Sequence, residues 1–177
     1  MERDLSIFDN IKFFKEVSGG MVSRKIVFVK LHGEIIILKI FKRKYREKYI
    51  NEKRIYLRLK DEDFLPKLRY FDDKNLILGL TYVGDSLEIF RTKKKEEYNR
   101  QVDNINKQIK SIVDSLLSKY GLYHNDLRYR NICIDEFNKI RLIDFDWTND
   151  KLLERERRYH LSQGGDEMYF KCYQNKM

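Results

Sequence analysis

An α+β chain in two lobes is predicted by three features of this sequence. Two β-branched apolar runs flank a turn within residues 25–41. A stretch from about Glu96 to Tyr120 carries one apolar stripe at helical spacing. Short apolar runs then surround a polar turn between Asn131 and Ile143. The first lobe is read as an antiparallel sheet with one helix, over residues 1–80. A connection over 81–84 leads to a shortened helical lobe over 85–177.

Residues 11–41 read as β-rich. Lys25-Ile26-Val27-Phe28-Val29-Lys30 is one strand, His32-Gly33-Glu34 a turn, and Ile35 to Phe41 the returning strand. Over 43–60 the period changes. Tyr49, Glu52, Ile55, Tyr56 and Leu59 fall on one helical face, with charge elsewhere. Pro66, the single proline, follows that helix. Lys67 to Phe71 and Leu76 to Tyr82 are two further strands, and Gly84-Asp85 is a turn. In the next helix Ile105, Ile109, Ile112, Val113, Leu116 and Leu117 make the stripe, and Gly121 is placed as a C-terminal cap. Asp135-Glu136-Phe137-Asn138 separates two short strands, so Ile132 to Leu142 reads as a hairpin. Residues 151–160 are charged and are expected to form one more helix.

Composition narrows the class. The chain has 177 residues, 42% hydrophobic and 14% aromatic, which supports a genuine core without a disulfide or metal staple. Lys and Arg number 37 against 28 Asp and Glu, a net charge of +9 that favours anionic partners without choosing among them. The basic runs Lys42-Arg43-Lys44-Tyr45-Arg46-Glu47-Lys48 and Arg91-Thr92-Lys93-Lys94-Lys95 read as solvated loop and helix start, so nucleic acid is not the expected partner. The two cysteines, Cys133 and Cys172, lack metal-ligand spacing, and Cys133 reads as core. The start lacks a signal-peptide pattern, and no segment is apolar enough to span a membrane. A soluble, cytoplasmic protein is expected.

Chemistry concentrates in Tyr123-His124-Asn125-Asp126-Leu127-Arg128-Tyr129-Arg130-Asn131. It holds His-x-Asp, with Asn131 five residues after Asp126. Thirteen residues beyond Asn131, Asp144 opens Asp144-Phe145-Asp146 at the end of an apolar strand. An aspartate beside a substrate hydroxyl can orient it and accept its proton, while Asn131 and Asp144 offer hard oxygen ligands that suit Mg²⁺. The intervening hairpin returns those oxygens to the same end. Upstream, Lys39 is a charge amid strand apolars, and Glu52 lies on the following helix, with Glu47 as its rival.

These residues resemble the protein-kinase-like superfamily, and the phrase His-x-Asp-Leu-x-x-x-Asn with Ile-Asp-Phe-Asp-Trp is most similar to its aminoglycoside/choline-kinase-like branch. The resemblance covers roughly residues 15–150. It implies ATP and Mg²⁺ as cofactors and transfer of the γ-phosphoryl group to a hydroxyl acceptor, protein Ser/Thr or small molecule. It implies Asp126 as the acceptor-orienting base, with Lys39 on the ATP phosphates and Glu52 holding Lys39. Asn131, Asp144 and Asp146 would be metal ligands, Arg128 would face the γ-phosphate, Gly19 and Gly20 would lie in a phosphate lid, and backbone groups of Tyr82 and Val83 would meet adenine.

The departures carry information. Val17-Ser18-Gly19-Gly20-Met21-Val22-Ser23 is a reduced glycine loop. Asn125 stands where protein kinases have an Arg that reads a phosphorylated loop. Only about thirty residues follow Trp147, so the acceptor platform is short. That shortness supports the alternative of a pseudokinase or nucleotide-binding scaffold acting through a partner. It also leaves the stripe on the long helix, with Tyr159, Tyr169, Phe170 and Tyr173, as an expected surface for a homodimer or protein partner.

Overall fold

The computed structural model describes residues 12–18 and 20–150. The described residues divide into two units, one built from those up to 62 together with 66–82, the other from 63–65 together with 83–150. The fold is α+β.

The first unit is a five-stranded antiparallel sheet with one helix. Its strands are β1 (Lys12–Ser18), β2 (Ser23–Leu31), β3 (Glu34–Phe41), β4 (Leu68–Asp72) and β5 (Ile77–Thr81), in the order β1-β2-β3-β5-β4. His32 and Gly33 join β2 to β3 with positive φ, at 49° and 86°. That two-residue turn matches the right-handed twist of its strands, which is why the His-Gly pair closes the hairpin. Val27, Val29 and Ile36 form the buried centre, with Leu31, Leu38 and Ile40 packed against it. Gly79 sits in β5 because a Cβ there would come within 3.0 Å of the Tyr70 Cβ on β4.

Helix α1 (Arg46–Arg58) follows a 3-10 turn at Arg43–Tyr45 and buries Tyr49, Glu52, Ile55 and Tyr56. Those residues are the predicted face. Phe41 at the end of β3 meets Tyr49 edge-on, with ring centroids 5.5 Å apart. The Tyr49 hydroxyl donates to Asp73 at 2.6 Å.

Among the described residues, the second unit holds a three-stranded antiparallel sheet and two helices. Its elements are β6 (Asp85–Ser86), α2 (Leu87–Lys93), α3 (Lys95–Tyr120), β7 (Ile132–Ile134) and β8 (Ile140–Leu142), with the sheet in chain order. Gly84, φ 99°, lies so close to β7 that a Cβ would stand 2.0 Å from the Ile134 carbonyl oxygen; no other residue fits. Gly121, φ 62°, closes α3 by donating to the Leu117 carbonyl, while Leu122 N–H reaches back to Leu116. The left-handed residue that this ending needs is the reason for glycine there.

Most of the α3 stripe is buried, with Leu117 half-buried. Ile105, Ile109, Val113 and Leu116 are at most 2% exposed and Ile112 is 8% exposed. Tyr159, Tyr169, Phe170, Tyr173, Cys172 and the charged segment 151–160 lie outside the described residues. Among the described residues no helix is long and apolar enough to cross a membrane.

Candidate functional site

Lys39 is placed by β3, which lies inside the sheet between β2 and β5, where Lys39 pairs with Ile26 and Leu78. It is not an edge-strand lysine pointing to solvent. Its ammonium donates to Glu52 Oε2 at 2.6 Å and stands 4.9 Å from the centre of the Phe41 ring. Lys39 is 8% exposed and Glu52 fully buried. Glu47 is exposed on the opposite face of α1, so the helical period selects Glu52 between the two. Burying two charges is costly even when they pair, so such a pair is weak evidence of stabilisation and better evidence that the lysine must be held in one place.

The loop from Tyr123 to Asn131 is irregular backbone fixed by side chains. His124, fully buried, bonds the Ile143 carbonyl through Nε2 at 3.0 Å and packs its ring 4.7 Å from Phe145. Its carbonyl accepts from Thr148 Oγ1 at 3.2 Å. The loop start is also tied across to Asn149 by two backbone bonds, Tyr123 N–H to Asn149 at 2.8 Å and the reverse at 3.1 Å. Asn125, φ 60°, donates from Nδ2 to the carbonyls of Tyr123 and Trp147. Where protein kinases carry a phosphate-reading Arg, this chain has a buried amide that ties down the backbone.

Asn131 closes the loop. Its Nδ2 donates to the Asp126 carboxylate and to the Asp126 carbonyl, both at 2.8 Å. The Asn131 carbonyl accepts from Ile143 N–H at 3.0 Å, which joins the loop to the residue before Asp144. The other Asp126 oxygen is paired with the Arg128 guanidinium. Arg128 thus sits beside the carboxylate that the sequence reading gives to the acceptor.

Asp144 is half-buried and takes the left-handed region, at φ 67° and ψ 57°. A non-glycine residue there is uncommon, and such positions cluster where a side chain must be aimed. The 3-10 turn Phe145–Trp147 then brings Asp146 round, so carboxylate oxygens of Asp144 and Asp146 lie within 4.8 Å of each other. Asp146 is 2% exposed. Two carboxylates this close offer hard-oxygen donors of the kind Mg²⁺ takes.

Other predicted positions are placed less directly. Gly19 lies outside the described residues; Gly20 is exposed. The Tyr82 N–H donates to the Ile35 carbonyl at 2.9 Å, continuing the β3–β5 ladder. Its N–H is therefore not available to adenine.

Two contacts escaped the sequence. Lys42, read as part of a solvated basic run, donates from Nζ to the carbonyls of Gly20 and Met21, each at 3.0 Å. Arg91, in the second basic run, lies 5.0 Å from the Tyr129 ring centre, and the Tyr129 hydroxyl meets that of Tyr98 at 3.2 Å. Neither is signalled by a motif, because each partner is distant in sequence.

No protein-family model matches the chain. It is similar to Citron Rho-interacting kinase of Mus musculus, 29% identical over 140 residues. That alignment covers 72% of this chain and 7% of the mouse protein, so the chain corresponds to a small part of that relative. The similarity points to a relation with kinases and does not select a branch.

Proposed function

We propose that this chain is an ATP- and Mg²⁺-dependent phosphotransferase that moves the γ-phosphoryl group to a hydroxyl acceptor, protein Ser/Thr or small molecule. The observation that carries the reading is the Asn131 amide. It holds the Asp126 carboxylate with its nitrogen, within a loop bonded to the residue before Asp144. The buried Lys39–Glu52 pair supports it independently, as does the similarity to a kinase.

Phosphoryl transfer asks a protein mainly for positioning and charge neutralisation. Asp126 orients the acceptor hydroxyl and takes its proton. Lys39, fixed by Glu52, holds the nucleotide phosphates. Asn131, Asp144 and Asp146 hold Mg²⁺, which supplies positive charge to the phosphates when bound. Arg128, beside Asp126, moves onto the γ-phosphate as the acceptor takes its place.

A second reading, a nucleotide-binding scaffold without turnover, draws on the Arg128–Asp126 ion pair, which occupies a carboxylate oxygen that an acceptor would need. One experiment separates the two. ATP binding and phosphoryl transfer, including autophosphorylation, are measured with Mg²⁺ and with chelator for the parent and for Asp126→Asn. The enzyme reading expects Mg²⁺-dependent turnover that falls about 10²- to 10⁴-fold in the variant while ATP binding persists. Tight ATP binding without turnover in the parent supports the scaffold, and absence of nucleotide binding overturns both.

A further inference from the structure

The reduced glycine loop keeps Gly19 and Gly20 but lacks the full pattern of glycines that usually lets backbone amides approach a phosphate. What the chain has instead is a lysine behind the loop. Lys42 follows β3 directly, and its backbone N–H donates to the Val22 carbonyl at 3.1 Å. Its ammonium donates to the carbonyls of Gly20 and Met21 at 3.0 Å each. Two consecutive carbonyls therefore face one cation.

In a trans peptide the carbonyl of one residue and the N–H of the next point in opposite directions. Turning the Gly20 and Met21 carbonyls onto Lys42 turns the Met21 and Val22 N–H groups away from it. Two successive N–H groups on one side of a turn make an anion-binding concavity. The space beside the turn is open, since a Cβ on Gly20 would meet nothing within 4 Å. The far flank is anchored, because Val22 and Ser23 are buried.

We infer that Lys42 is a positioning residue that holds the loop so that the Met21 and Val22 amides bind a phosphate group of the nucleotide. The ammonium acts through the backbone, with no contact to the ligand. The inference rests on the nucleotide reading given above for the ligand's identity, though not for the cradle itself.

The test uses the full chain, with amide shifts of Met21 and Val22 followed by NMR during titration with Mg-ATP, adenosine and tripolyphosphate. In the parent both amides shift with Mg-ATP and with tripolyphosphate but not with adenosine. Lys42→Ala abolishes those shifts and weakens Mg-ATP binding about tenfold, as expected for two charge-assisted bonds held less firmly, while adenosine binding is unchanged. Lys42→Arg, which can still donate to both carbonyls, restores binding to within about twofold. If Lys42→Ala binds Mg-ATP as the parent does, or weakens ATP and adenosine equally, the positioning role is overturned. If the parent fails to bind ATP but tripolyphosphate still shifts both amides in a Lys42-dependent way, the cradle stands and the nucleotide reading falls. No shift with either ligand overturns the cradle.

Discussion

Two regions hold the residues proposed for chemistry, and they are built differently. Lys39 and Glu52 sit in regular structure, one on an interior strand and one on the buried face of a helix. Their positions follow from sheet register and helical period. Asp126, Asn131, Asp144 and Asp146 sit in backbone that is almost all irregular, with 3-10 turns and left-handed residues at Asn125 and Asp144. There the side chains themselves hold the chain, through His124, Asn125, Asn131 and Thr148. Regular structure makes a position robust to loss of a neighbour; an irregular loop makes each polar side chain part of the scaffold.

The largest effect is expected where the regular region hides a charge. Glu52→Ala leaves Lys39 buried without its carboxylate partner and should destabilise the chain by about 3–5 kcal/mol. The double variant Lys39→Met, Glu52→Leu removes both charges and should recover most of that loss, while Mg-ATP binding stays impaired. Urea unfolding with nucleotide titration reads both. If the double variant is as unstable as the single one, the pair is structural and the separation of stability from function fails.

The matching change in the irregular region is Asn131→Ala. It removes two bonds to a buried carboxylate and its own carbonyl, so the loop should lose about 1–3 kcal/mol. In contrast with the first region, stability and phosphoryl transfer should fall together, because one side chain serves both. Hydrogen exchange should show faster opening confined to residues 123–131. Wild-type protection there would mean that the backbone bonds alone hold the loop.

The same contrast explains what could be read from the sequence. Helix α1 and its Glu52 face, the α3 stripe and the hairpins rest on periodicity, which is local. The helical period puts Glu52 on the apolar face of α1, and its burial there, with Glu47 exposed, agrees. Helix α2 escaped notice because seven residues with two buried positions, Leu87 and Phe90, give no period; its Ser86 cap, accepting from Ile89 N–H, was the available signal. In the loop, spacing singled out Asp126, Asn131 and Asp144. The bonds that fix them join residues five to twenty-four apart and follow from no local rule.

Cys133 tests the small sheet between those loop segments. It pairs with Ser86 in β6 and Arg141 in β8 and is 4% exposed. Burial, with the Asp85 carboxylate adding to it, pushes its thiol up to about 12 from 9.0. The folded state therefore favours the protonated thiol. That contribution is complete below pH 9 and shrinks as the unfolded chain ionises, by roughly 1 kcal/mol per pH unit up to about 12. Cys133→Ala should flatten this alkaline slope. In native protein at pH 8, peptide mapping should find Cys133 unmodified by iodoacetamide; rapid labelling would mean that the sheet opens readily.

The smallest effect belongs to a turn in the first unit, where a side chain does in regular structure what Asn131 does in the loop. Asp72 ends β4, and its Oδ1 accepts from the N–H groups of Lys74 and Asn75 at 2.8 and 3.0 Å, while Oδ2 accepts from the Asn75 amide at 2.7 Å. These bonds shape the turn into β5, just before Leu76 takes φ 56°. Partial burial pushes the Asp72 carboxyl up, but the bonds from Asn75, Lys74 and Tyr70 outweigh it and hold the carboxyl below 3.8. A carboxyl held down in the fold stabilises it above its unfolded value and stops doing so as pH falls through the folded one. Asp72→Ala should cost about 1 kcal/mol at pH 7, since the turn is solvated and water replaces part of each bond. As pH falls through the folded value, the parent and the variant should converge. Because the sheet register carries the neighbouring strands, phosphoryl transfer should be unchanged, unlike the coupled loss at Asn131. A variant equal in stability to the parent at pH 7 would show that strand pairing alone forms the turn.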